Sequence, residues 1–268
     1  MSRRSYEVVE GFFVQELGAR YGQGEALPAR FGLIDRSEDR WKTLREKIDQ
    51  LNTSSPVSTQ YKVFFVGRHD NVAEAKYGTE RWNNYWSKEN GDGELIWGQL
   101  TTLGKGQAEA AHNAWKEERR FDIPLPGKLY CSPLTRAIHT NKITFDSIIP
   151  DSQRTMIIEN LRETTGVHTC DKRRTRTYIE QTFPNFDIEK ELAEEDELWD
   201  PEVRETHTQI DVRMRHVLEM IFDRDQDQFI SFTAHGGIVS AMLRVVNHKQ
   251  YILPTGGVIP MVVKSYIS

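Results

Sequence analysis

Residues 62–66, Lys-Val-Phe-Phe-Val, run without a break into Gly67-Arg68-His69. An apolar, β-rich run with no polar alternation is the mark of a strand buried on both faces, as in a mostly parallel sheet. The pattern recurs twice. Lys128-Leu129-Tyr130-Cys131 ends at Ser132-Pro133, and Phe229-Ile230-Ser231-Phe232-Thr233 ends at Ala234-His235-Gly236-Gly237. A helix is expected after each of these two, one with Leu134, Ala137, Ile138 and Phe145 on a face, the other with Ile238, Ala241, Met242 and Val245. Ser132 reads as the cap of the first, with Pro133 at the first helical position. Two more amphipathic helices are expected, one opened by Leu100-Thr101-Thr102-Leu103-Gly104 with Ala108, Ala111 and Trp115, and one carrying Ile210, Met214, Val217, Leu218 and Ile221. Alternating strands and helices predict an α/β fold, a three-layer α/β/α sandwich whose mainly parallel sheet binds ligands at the carboxyl ends of its strands.

The chain has 268 residues, of which 38% are apolar and 28% charged, with six Trp, nine Tyr and twelve Phe. That is enough apolar material for one large core, and the length fits a single domain over 1–268. Residues 1–58 read as an N-terminal extension: a loop-rich start with Gly18, Gly22, Gly24, Pro28 and Gly32, then a helix capped by Ser37 with Trp41, Leu44, Ile48 and Leu51 on one face. Residues 77–99 and 164–205 read as insertions near the site. Thirty-five Lys and Arg against forty Asp and Glu give a net charge of −5, without the basic excess that a nucleic-acid partner needs. Two cysteines, Cys131 and Cys170, are too few for a secreted disulfide framework. The start lacks the apolar core of a signal peptide and the longest apolar runs are too short to cross a bilayer, so a soluble, cytoplasmic protein with no membrane partner is expected. The glycosylation sequon at Asn52-Thr53-Ser54 carries little meaning without a secretory signal.

Three strand ends deliver Arg68-His69, Ser132 through Arg136, and His235-Gly236-Gly237 to one edge of the sheet. Two histidines with two arginines suit a phosphoryl group, because guanidinium binds phosphate oxygens bidentately and the helix after Gly236-Gly237 adds N–H donors. Imidazole attacks phosphorus only when neutral, and flanking arginines penalise the imidazolium form. A lone histidine at a strand end is usually structural, and His112, His139, His207, His216 and His248 are read that way. The joint placement of His69 and His235 reverses that expectation for these two.

With these residues in place, the chain resembles the histidine phosphatase superfamily, the phosphoglycerate mutase-like clan, and within it a fungal phosphomutase-like branch. The resemblance lies in five motifs in order: Arg68-His69; Leu100-Thr-Thr-Leu-Gly-Lys-Gly-Gln-Ala108; Cys131-Ser-Pro-Leu-Thr-Arg-Ala137; Leu161-Arg-Glu163; and Ala234-His-Gly-Gly237. It implies that His69 becomes phosphohistidine, that Arg68 and Arg136 clamp the phosphoryl oxygens, and that His235 binds the transferring group. It also implies that Glu163 protonates the leaving alkoxide and then activates water, a role that requires its carboxyl to hold a proton at the start. An ordinary surface carboxylate is the plainer reading of Glu163.

The family follows Arg-His with glycine and, several residues on, an asparagine of the phosphate site. Here Asp70-Asn71 come directly after His69, a loop shortened by a few residues, with Asn71 the candidate for that asparagine. An inward-facing Asp70 would cost a bound dianion about 3–4 kcal/mol at ~4–6 Å. The dense polar segment Gly166–Arg174 offers His168, Cys170 and Asp171, but without a partner cluster elsewhere no metal site is expected. Lys172, Arg173, Arg174 and Arg176 are read either as a pocket rim holding a second acidic group of the substrate or as a solvated loop. The acidic stretch 187–205 reads as a solvated helix or lid. Trp82, Tyr85, Trp86 and Trp97 read as packing of the insertion, with a pocket lining as the other option. The expected activity is hydrolysis of a small phosphate monoester through phosphohistidine, without cofactor or metal. A phosphomutase and a degenerate, ligand-binding family member are the alternatives.

Overall fold

In the computed structural model, which describes residues 4–17, 24–69 and 100–267, the run at 62–66 lies inside a longer strand. The described residues build a sheet from β1 (Arg4–Val8), β2 (Thr59–Arg68), β3 (Lys128–Cys131), β4 (Thr155–Ile157), β5 (Phe186–Ile188), β6 (Phe229–Ala234) and β7 (Val258–Ile267). Their order across the sheet is β1-β7-β2-β6-β3-β4-β5. The pairs from β2 through β6, β3 and β4 to β5 are parallel, whereas β7 runs antiparallel to β2 and β1 antiparallel to β7.

The continuous apolar run of β2 is explained by burial on both sides. Phe64 and Val66 face one core, with Ile230, Phe232, Met214, Leu218 and Met242. Val63 and Phe65 face the other, with Trp41, Ile48, Trp115 and Leu129. The helices α1 (Arg40–Ser54), α2 (Thr102–Glu118), α3 (Thr135–Phe145), α4 (Arg176–Thr182), α5 (His207–Arg224) and α6 (Gly236–Val245) cover these faces. The two cores make the three-layer α/β/α sandwich expected from the sequence.

Several local expectations change. Arg4–Val8, read as part of a loop-rich extension, is an edge strand, and Phe13 and Phe31 are buried in the core beside Phe65 and Trp115. α1 starts at Arg40 behind Asp39, not behind Ser37. The 164–205 segment is part of the fold: it contributes β5 to the sheet and packs Ile179, Phe183 and Leu192 against Ile138 and Ile157. Its acidic stretch forms no helix beyond Ile188; it is a coil held by buried arginines. β7 contains Pro260 opposite Phe65. A proline there is tolerated because β1 pairs with β7 only as far as Val263, leaving Pro260 a strand neighbour on one side.

Register aligns the site. Arg68 pairs with Ala234 and Cys131 with Thr233, so β2, β6 and β3 end level with one another. His69, Ser132 and His235 are the next residues out of the three strands.

Candidate active site

His69 leaves β2 with its N–H on the Ala234 carbonyl at 3.1 Å. Its ring lies 4.3 Å, centroid to centroid, from that of His235, which caps α6. Both are buried, at 4% and 0% exposure. Arg136, in the first turn of α3, donates from Nε to His69 Nε2 at 3.1 Å. An arginine N–H can only donate, so Nε2 is the unprotonated nitrogen and its lone pair faces Arg136. The remaining contacts of Arg136 fix its plane: Nη1 donates to the Cys170 carbonyl, and Nη2 to Asp171 Oδ1 at 3.0 Å.

Burial holds His235 well below the ordinary histidine range, and the charges of His69, Arg136, Arg213 and Arg68 push the same way. It is therefore neutral near pH 7. Its Nε2 meets Ser132 Oγ at 2.6 Å, while its Nδ1 is buried with no partner among the described residues. Ser132 Oγ also accepts the Leu134 N–H at 3.2 Å. That corrects the expected cap: α3 begins at Thr135 behind Leu134, and the Ser132 hydroxyl joins that turn to the histidine.

The half-buried carboxyl of Glu163 comes from the loop after β4. The Gly237 N–H approaches Oε1 at 3.1 Å, and the Thr164 N–H donates to the same oxygen at 2.8 Å. A Cβ on Gly237 would lie 2.2 Å from that oxygen, so only glycine admits the carboxylate to the start of α6. Burial and the charge of Asp171 push the Glu163 carboxyl up, and the Thr164 N–H, Arg136 and the Gly237 N–H oppose them less strongly. The net direction is that of a proton donor. Arg68 is half-buried, donating from Nη1 to the Leu253 carbonyl at 2.7 Å, with its guanidinium packed against Gly236.

Asn71, with Asp70 and the 77–99 aromatic residues, lies outside the described residues. Arg173 departs from the expected pocket rim. It is buried, and its guanidinium donates to Glu159 and to the carbonyls of Arg174, Glu194, Ala193 and Glu195. Arg176 likewise holds Glu180 and the carbonyls of Glu189 and Leu192. Lys172 is exposed, with Nζ 5.1 Å from the Trp199 ring. His168, Cys170 and Asp171 bring ligand atoms within 4.8 Å of one another. The set does not fit a cation as it stands. Arg136 and Arg204 hold the Asp171 carboxylate, and burial with the Asp171 charge keeps the Cys170 thiol protonated.

Three supporting arginines escaped the sequence reading. Fully buried Arg162 makes two 2.6 Å contacts with Asp196 and one of 3.0 Å with Glu159. Arg213 ties Glu205 to the carbonyls of Asn160 and Arg162, bracing the acid loop from α5. Arg204 carries the outer oxygen of Asp171 at 2.8 Å. The signal for Arg213 was present, a cation among the apolar positions Ile210, Met214 and Val217; the other two sit in coil and gave none.

A mainly parallel α/β sandwich with a buried histidine pair at its carboxyl edge is a phosphoglycerate mutase-like fold. The family model described as "Histidine phosphatase superfamily (branch 1)" matches residues 86–252. The chain belongs to that superfamily. It is 40% identical to "Probable phosphoglycerate mutase" of Arthroderma benhamiae, over 97% of this chain and 84% of that one. It is 33% identical to a Saccharomyces cerevisiae protein also named a probable phosphoglycerate mutase, over 84% of both chains. A solved mycobacterial glucosyl-3-phosphoglycerate phosphatase in complex with VO3 aligns at 23% identity and a TM-score of 0.41, over 69% of this chain and 85% of that one. No described helix is long and apolar enough to cross a membrane.

Proposed function

We propose that the protein hydrolyses a small phosphate monoester through a phosphohistidine on His69, without a metal. The observation that carries this reading is the Arg136 Nε–H donated to His69 Nε2, which requires Nε2 to be the unprotonated nitrogen and sets a guanidinium beside it. In the first step the Arg136 Nε–H hydrogen bond passes from Nε2 to a phosphoryl oxygen, the freed Nε2 lone pair attacks phosphorus and the bond to the leaving oxygen breaks, while the Glu163 carboxyl passes its proton to the departing alkoxide. Arg136 and Arg68 stabilise the charge on the equatorial oxygens, and His235 Nδ1, without a partner among the described residues, supplies a further donor to them. In the second step the Glu163 carboxylate takes a proton from water, whose oxygen attacks the phosphohistidine and releases inorganic phosphate. The names of the two fungal relatives favour a second reading, a phosphomutase, in which the phosphoryl group returns to another oxygen of the substrate instead of water.

The test is hydrolysis of p-nitrophenyl phosphate by wild type, His69→Ala and His235→Ala, each with chelator present. The expected result is turnover that survives chelation, falls by about 10³-fold in His69→Ala and is strongly reduced in His235→Ala. Equal rates for wild type and His69→Ala refute the phosphohistidine route, and no turnover in either leaves a binding protein. Loss on chelation refutes metal independence.

A further inference from the structure

We propose that Asp171, held between Arg136 and Arg204, is a positioning residue of the phosphoryl site: it orients Arg136 beside His69 and sets a counter-charge between that arginine and Glu163. This rests on Glu163 being the acid, as read above.

Asp171 sits at the end of a short 3₁₀ turn, Thr169–Asp171, and its side chain is only 4% exposed. Oδ1 accepts Arg136 Nη2 at 3.0 Å while Oδ2 accepts Arg204 Nη1 at 2.8 Å, so each oxygen faces a different guanidinium. The backbone of Asp171 is pinned as well, its carbonyl accepting Arg162 Nη2 at 3.0 Å. A carboxylate fixed at both ends locks the plane of Arg136, and that plane sets Nε beside the attacking nitrogen.

The same charge acts on Glu163. The described groups that face Glu163 are Arg136 from α3, the Gly237 N–H from α6, Thr164 beside it, Arg213 from α5 on its main-chain carbonyl at 3.4 Å, and Asp171. Arg136 and the N–H donors favour the ionised carboxylate; Asp171 is the negative charge among them and disfavours it. Without Asp171 the acid would face Arg136 uncompensated and would hold its proton less tightly. Arg204 trims this effect, since its own positive charge lies on the far oxygen of Asp171, where it is 34% exposed. One buried carboxylate thus acts on both sides of the pocket, fixing a cation for the substrate and offsetting the pull of that cation on the acid's proton.

The test compares the pH dependence of kcat for Asp171→Asn and Arg204→Gln with wild type. Asparagine keeps an oxygen for Arg136 but removes the charge, so the alkaline limb should move down by about one pH unit. Removing Arg204 leaves the Asp171 charge less compensated, so the same limb should move up by a few tenths of a unit. In Asp171→Asn the ratio of glycerol phosphate to p-nitrophenyl phosphate turnover should also fall about tenfold, because only the alkyl leaving group needs the proton. A packing defect lowers kcat without moving a limb, and it cannot move one limb in opposite directions. Limbs unmoved in both variants overturn the proposal even if His69-dependent turnover is present. If wild type shows no such turnover, the functional reading fails separately. The proposal is then decided by carbon-13 titration of the glutamate carboxyls, with Glu163 assigned by Glu163→Gln: it stands if Glu163 titrates lower in Asp171→Asn and falls if it does not.

Discussion

Replacing Asp196 with alanine should destabilise the protein more than any surface change of equal size. Arg162 is fully buried, and Asp196, 1% exposed, meets it through two contacts of 2.6 Å. Removing the carboxylate leaves the guanidinium with Glu159 and one carbonyl. Breaking a buried pair from one side costs ~3–5 kcal/mol, because the surviving charge stays desolvated. Glu159 retains part of the compensation, so about 3 kcal/mol is expected. The assay is urea unfolding, in which the midpoint should fall while the slope stays constant. The exposed pair Arg120–Glu117 is the control, and Glu117→Ala should change stability by less than about 0.5 kcal/mol. Burial alone would push the Asp196 carboxyl up, but Arg162 and Arg173 outweigh it and hold the group below the usual aspartate range. A depressed folded value contributes stability that is complete above the unfolded value, about 3.9, and is lost as pH falls through the folded one. The gap between wild type and variant should be constant from neutral pH to about 5 and shrink below about 4. A gap under about 1 kcal/mol at pH 7, or one that widens on acidification, refutes the assignment of a stabilising clamp.

Gly237→Ala places a methyl group 2.2 Å from Glu163 Oε1, so the carboxyl must leave its position over α6. Turnover of an alkyl phosphate should drop about 10²-fold with the melting temperature nearly kept, and unchanged turnover would show that this position is not the productive one. Ser132→Ala removes the contact at His235 Nε2 and leaves that buried nitrogen unsatisfied, at a cost of about 1–3 kcal/mol in thermal unfolding; an unchanged melting curve would mean that water replaces the hydroxyl. Burial pushes the thiols of Cys131 and Cys170 up, so both should resist iodoacetamide at pH 8 until the protein is unfolded, and rapid native alkylation of either would contradict their placement.

How much was legible depended on range. β2 and β6 were readable because each is a continuous apolar run buried on both faces, a signal that needs only five or six neighbouring residues. β7 was missed because Pro260 argues against a central strand, and only the short reach of β1 makes it permissible. β1 was missed because Arg-Ser-Tyr-Glu-Val carries a single buried residue, Tyr6. The triplet His168, Cys170 and Asp171 read as a polar segment without a partner elsewhere, whereas the fold turns Asp171 toward Arg136, thirty-five residues earlier in the chain. Arg173 looked like part of a basic rim, and nothing local distinguishes an exposed cation from one buried among carbonyls.

By itself the sequence determined the α/β class, the strand ends and the residue types placed there, because burial and helix or strand periodicity are local properties of the chain. Only the tertiary structure decided which partner each polar group faces: Ser132 on His235, Asp171 between two arginines, Arg162 and Arg173 on the acidic coil. A buried polar group must be satisfied by whatever the fold brings within about 3 Å, and that neighbour is set by the register of distant strands.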